Sequence, residues 1–143
     1  MDIIKILQDR FGEKIKEIKV HSPQKIYVTI DKDSLLEFAD FIFNKLDARF
    51  ATITGLDNLD NFEVLYHFSL DKQNIIVSVR VMVARRNPEI ESLVSIIKGT
   101  AWIEREMYEL LGIKFLHHPN LKRFLLSEDW PEGVYPLRKE IKN

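Results

Sequence analysis

Apolar residues recur along this chain with two different periods, and the switches between them mark its elements. Ile3, Ile6, Leu7 and Phe11 are spaced as on one face of a helix, and Gly12 follows as a stop. Ile18 and Val20, then Ile26, Val28 and Ile30, alternate with polar neighbours around the turn-forming HSPQ at 21–24, which predicts a hairpin. The stretch DSLLEFADFIFNKL predicts the clearest helix. Leu35, Phe38, Ala39, Ile42 and Leu46 form its stripe, and Leu36 and Phe43 widen it enough to lie flat on a sheet. Ser34 and Glu37 have the spacing of a capping box, in which each side chain satisfies a free amide at the helix start.

A strand from Phe50 to Leu56 ends near Gly55. Two longer strands follow. Phe62, Val64, Tyr66, Phe68 and Leu70 alternate without a break, as do Ile75, Val77, Val79, Val81 and Val83, with DKQN at 71–74 between them. Pairing Leu70 with Ile75 and counting outward sets Phe68 on Val77, Tyr66 on Val79, Val64 on Val81 and Phe62 on Val83. All the apolar residues then share one face, so the register is self-consistent. The reverse face carries Glu63, Leu65, His67, Ser78, Arg80 and Met82, a mixed surface that is either solvated or a contact.

RRNPE breaks the alternation. A last helix starts near Pro88 or after Gly99 and ends by Gly112, with Ile103, Met107, Leu110 and Leu111 as its stripe. Trp102 falls on its polar side, where a tryptophan facing water is unusual. Glu106 and Glu109 read as a solvated face, with Arg105 and Glu109 spaced for a weak ion pair. Glu104 lies at the edge of the apolar stripe, where a carboxylate wants a cationic partner, and Arg123, Arg138 or Lys139 could supply one. From His117 onward the chain is proline-broken and irregular, yet rich in Leu, Phe, Trp and Tyr. The order predicts an α+β fold: an antiparallel sheet with helices on one face over residues 1–115, and an extended C-terminal arm over 116–143.

Composition narrows the function classes. The 143 residues suit one domain, and 45% hydrophobic with 30% charged residues is an ordinary globular balance. Twenty-one basic against 22 acidic side chains give a net charge of −1, which argues against nucleic acid as a partner. With no cysteine, thiolate nucleophiles and cysteine-held iron–sulfur clusters are excluded from this chain. The N-terminus has no signal-peptide core, and no apolar run approaches the roughly 20 residues of a membrane helix. There is no glycine-rich phosphate loop and no hydrolase or zinc motif. His117 and His118 are neighbours and point apart on most backbones, so they make a poor metal pair.

The run WIEREMYELLGIKFLHHPNLKRFLLSEDWPEGVYPLRKE resembles the signature of the thirty-kilodalton peripheral-arm subunit of respiratory complex I, which also occurs in membrane-bound energy-converting [NiFe] hydrogenases. Trp102, Glu104, Arg105 and Glu106 carry its start; Glu109, Gly112, Ile113 and Phe115 its middle; His118 to Leu125 the next block; Pro136, Leu137, Arg138, Lys139 and Glu140 its close. His117 stands where the family has Gly, and Tyr135 where complex I members often carry His.

This resemblance implies a non-catalytic subunit on the cytoplasmic side of the membrane, scaffolding the large catalytic subunit, beside a small iron–sulfur subunit and, indirectly, membrane subunits. The chain itself would bind no cofactor. Its partners would carry iron–sulfur clusters and a [NiFe] centre, or line a quinone site. SEDWPEG and the short ending point to the hydrogenase branch, with the complex I-type branch and a stand-alone ligand-binding domain as alternatives. The implied partner surface comprises Trp102, Glu104, Arg105, Glu106, His118, Pro119, Leu121, Arg123, Phe124, Trp130, Tyr135, Pro136, Leu137, Arg138 and Lys139. In that reading the arm is stable only when wrapped on the partner, with its aromatics as anchors.

Overall fold

The computed structural model describes residues 2–121 and 133–139. Helix α1 (Ile3–Phe11) opens on Asp2, whose side chain accepts from the Lys5 amide, and buries Ile3, Leu7 and Phe11. Strands β1 (Ile15–Ser22) and β2 (Lys25–Ile30) form the expected antiparallel hairpin. After helix α2 (Leu35–Asp40), strands β3 (Arg49–Asp57), β4 (Asn61–Leu70) and β5 (Ile75–Ala84) follow as an antiparallel meander. The β4–β5 register is the one that alternation dictates, from Leu70 on Ile75 to Phe62 on Val83.

The sheet order is β1-β2-β5-β4-β3, and β2 runs parallel to β5. The sheet is therefore mixed, not wholly antiparallel. Local alternation fixes each hairpin, but only the long connection through α2, β3 and β4 brings β5 beside β2. One face is dry. Val28, Val64, Tyr66, Phe68, Val79 and Val81 are fully buried there against Leu7 of α1, Leu35 and Phe38 of α2, and Ile42 just beyond it. Phe11 joins the two helices, with its ring 4.5 Å from Phe38 and edge-on to Phe41 at 5.5 Å.

Helix α2 departs from the expectation at both ends. Ser34 closes a short 3₁₀ turn (Lys32–Ser34) and makes no capping bond, so the capping box does not form. Glu37 instead reaches Lys14, 2.6 Å away. After Asp40 the helix widens into a π turn (Phe41–Lys45), in which the Leu46 amide donates to the Phe41 carbonyl at 3.0 Å. A second, two-stranded parallel sheet was also not expected: β6 (Glu89–Glu91) pairs with β7 (Lys114–Leu116), and three residues are too few for alternation to register.

Helix α3 (Ala101–Leu111) takes the later of the two expected starts and packs over the end of β3. Gly55 makes this possible: a Cβ there would lie 2.6 Å from Met107 Sδ and 2.7 Å from Leu111 Cδ1. All three helices thus lie on the same face of the sheet. Among the described residues, no helix is long and apolar enough to cross a membrane.

Candidate partner interface

Helix α3 organises the residues that the sequence assigns to a partner. Trp102 is 63% exposed, and the Arg105 guanidinium lies 5.3 Å from its ring. The loop after β7 is tied to the same turn. His118 Nδ1 accepts from the Asn120 amide at 3.0 Å, so its Nε2–H donates to the Ala101 carbonyl, also at 3.0 Å. Ala101, Trp102, Arg105, His118, Pro119 and Asn120 line a shallow cavity of about 190 Å³. His117 has φ of +66° and reaches Glu91 at 2.7 Å, so the left-handed backbone that glycine favours is kept here by a histidine.

Beneath this surface lies Glu104, fully buried. It has no cationic side chain from the C-terminal segment among the described residues. Ser92 Oγ donates to one carboxylate oxygen at 2.6 Å and the Leu93 amide to the other at 2.8 Å. Burial pushes its carboxyl up, and these bonds, with His118 and Thr100 nearby, recover only part of the shift. Glu104 therefore pins the loop before α3 and does not face a partner. Glu109 is buried as well, contrary to the solvated face expected for it. Beyond its apolar stripe α3 is engaged by His118 at its start and by residues 137–138 at its end. Glu106 is half-buried.

The C-terminal residues that are described come back onto the domain. The Leu137 amide donates to the Leu110 carbonyl at 2.9 Å, and Arg138 Nε to the Leu111 carbonyl at 2.6 Å. The Arg138 guanidinium stacks 4.4 Å from the Tyr135 ring and 5.2 Å from Phe62. Gly112, at φ +78°, ends α3 where a Cβ would meet Tyr135 at 2.6 Å. Asp57, at the end of β3, collects the rest: its carboxylate accepts from Arg85, from the Leu59 amide at 2.9 Å and from the Lys139 amide at 2.6 Å. Arg85 also donates to the Lys139 carbonyl at 2.8 Å. Burial raises the Asp57 carboxyl, but Arg85 and the two amides more than offset it and hold it below the usual carboxylate range.

Residues 133–139 are accordingly not an arm held off the domain, and Arg138 uses its Nε–H within the chain. Of the residues assigned to a partner, Trp102, Pro119, Pro136, Leu137 and Lys139 face outward, while Leu121 packs against the core. Tyr135 and Arg138 are half-buried at the return. Arg123, Phe124 and Trp130 lie outside the described residues. Two outward patches result, one at each end of α3, about 15 Å apart at 1.5 Å per residue. Sequence reasoning missed Asp57, Arg85 and Ser92. No local pattern marks them, because their partners are far along the chain.

The reverse sheet face is internally engaged. His67 lies 2.7 Å from Ser78 Oγ and 2.9 Å from Thr54 Oγ1; burial, then Lys25, lowers the pKa of its imidazole. Arg80 Nε is 3.1 Å from Glu63, at an angle that makes no hydrogen bond, and its guanidinium stacks on Tyr27 at 5.2 Å. Among the described residues, no three His, Asp or Glu side chains are grouped as metal ligands.

The family model described as "Respiratory-chain NADH dehydrogenase, 30 Kd subunit" matches residues 28–143. The chain belongs to that family. Relatives in the 30 Kd family extend over nearly its whole length. A subunit of the F(420)H(2) dehydrogenase of Methanosarcina mazei is 36% identical over 143 residues, covering 98% of this chain and 90% of the relative. A subunit of the NADH-quinone oxidoreductase of Citrifermentans bemidjiense is 30% identical over 138 residues, covering 94% and 84%. Two solved structures share the fold. A chain of the membrane-bound sulfane sulfur reductase, an archaeal respiratory membrane complex, superposes with a TM-score of 0.85 at 17% identity, covering 96% of this chain and 82% of the other. A trypsin-resistant fragment (1–134) of Nqo5 gives 0.74 at 23% identity, covering 85% and 100%.

Proposed function

We propose that this 30 Kd-family chain is a non-catalytic, peripheral subunit of a membrane-bound, energy-converting oxidoreductase complex, where it scaffolds the large catalytic subunit. The observation that carries this is 36% identity to a subunit of a dehydrogenase over an alignment that covers 98% of the chain. The exposed Trp102, braced by Arg105 beside a preformed cavity, supports it by offering a rigid aromatic anchor of the kind that dominates protein interfaces. Electron transfer would belong to iron–sulfur partners on the cytoplasmic side of the membrane.

Within this class, SEDWPEG favours a [NiFe] hydrogenase, whereas the dehydrogenase and quinone-oxidoreductase relatives favour a complex I-type dehydrogenase. Likeness along the whole chain outweighs seven residues, so the dehydrogenase branch is the better reading. Affinity purification of the tagged chain from native membranes, with metal analysis, tests both levels. The account expects a complex with iron–sulfur partners and no nickel. Stoichiometric nickel would move the chain to the hydrogenase branch, and recovery of the chain alone would overturn the subunit reading.

A further inference from the structure

The two edges of the five-stranded sheet are built differently. At one edge, β1 presents Lys16, Glu17 and Lys19, all exposed, and its pairing with β2 is broken twice, between Ile15 and Glu17 and between Val20 and Ser22. Charges and bulges of this kind keep another strand from adding. The other edge, β3, is less protected. From Phe50 to Leu56 it holds no charged residue and no proline, and after one irregularity between Phe50 and Thr52 it pairs with β4 without interruption. Leu56 and, just beyond the strand, Leu59 are exposed at 42% and 44%.

The pairing also shows which groups point outward. The Asn58 amide donates to the Asn61 carbonyl, so the hydrogen-bonded pairs run Leu56 with Glu63, Thr54 with Leu65 and Thr52 with His67. Ile53 and Gly55, between them, turn their N–H and C=O groups away from β4. Among the described residues no backbone group pairs with that side. Gly55 lies under Met107 and Leu111, and the Lys139 amide reaches Asp57 at the end of β3, so this open edge borders the C-terminal end of α3 and the return that carries the exposed Pro136 and Leu137.

We propose that the edge of β3 receives an extended, uncharged segment of the partner protein as a sixth strand, pairing with Ile53 and Gly55. The inference rests on the subunit reading. A second copy of this chain is a poor occupant. The regular stretch from Thr52 to Leu56 is roughly 17 Å long, and pairing two such edges buries far less than the roughly 1,200 Å² of a stable interface. A partner already held at α3 needs no such area, because its segment reaches the edge at high effective concentration.

Amide hydrogen exchange, compared between the isolated full-length chain and the natively purified complex, reads this directly. In the lone chain the Ile53 and Gly55 amides exchange fast while Thr52 and Thr54 are protected; in the complex all four are protected, with Ile53 and Gly55 slowed at least a hundredfold. Equal exchange at Ile53 and Gly55 in both samples overturns the proposal, as does protection that appears in the lone chain with rising concentration, which would mean a second copy. If no complex is recovered, it is the subunit reading that fails. As a second arm, Thr52→Lys adds an edge charge at an exposed position: it leaves thermal stability unchanged and cuts recovery in the complex about tenfold, and recovery equal to the unmodified chain counts against the added strand.

Discussion

Asp57 shows how much a single residue can join. Its carboxylate, at the end of β3, holds Arg85 from the end of β5 and the backbone of Lys139 from the C-terminal return. Asp57→Asn leaves Arg85 half-buried without its counter-charge and is expected to cost about 1–3 kcal/mol at neutral pH, measured by urea denaturation. The folded carboxyl titrates below its unfolded value of about 3.9, so its contribution is fully present above that pH and is lost as pH falls through the folded value. The stability gap between the parent chain and Asp57→Asn should therefore be flat from pH 7 to about 5 and close below about 4. A gap that widens in acid would refute the assignment. Tyr66 presents the opposite case. Its hydroxyl is buried with no hydrogen-bond partner among the described residues, and burial, then Glu104, pushes its ionisation well up. Tyr66→Phe removes an unsatisfied group and should leave the melting temperature equal or higher; a loss above about 1 kcal/mol would reveal a bond that the geometry lacks. Neither role was legible in the sequence. Period-two alternation told that Tyr66 faces inward, not what its oxygen meets, and Asp57 lies 28 residues from Arg85, with nothing local to join them.

Among the elements, legibility followed the strength of the repeat. The β4–β5 hairpin was readable to the residue, because five apolar pairs agree on one register. The parallel contact of β2 with β5 was not, since parallel neighbours are set by a crossover and not by a turn. Helix α2 shows where a motif misleads. Ser34 and Glu37 have capping-box spacing, yet Ser34 closes a 3₁₀ turn with helical φ and ψ, so its hydroxyl does not cap. Ser34→Ala should then cost under about 0.5 kcal/mol, against about 1 kcal/mol for a functioning cap. Thermal denaturation distinguishes these, and a cost at the higher figure would mean that the cap forms in solution. Strands β6 and β7 were missed because their pairing spans the whole of α3, and neither strand has more than one full alternation.

Across the whole molecule, the two ends of α3 divide the candidate interface. The end at Gly112 is occupied by the chain's own Tyr135 and Arg138, so this part of the family signature stabilises the subunit itself. At the start Trp102 and Pro119 face outward, with Arg105 and His118 half-buried beside them in the same shallow cavity. Likeness to a family drew sequence reasoning to this surface, but it could not sort the residues that face outward from those, such as Glu104, that hold the surface in shape. Burial alone makes that distinction. The most direct test of the central claim is native affinity purification with the parent chain and with Trp102→Ala, scored as partner recovered per tagged chain. An anchor contributing about 2 kcal/mol predicts roughly a 30-fold loss of partner, with the melting temperature of the variant unchanged because Trp102 is 63% exposed. Equal recovery of partner by both chains would contradict the claim.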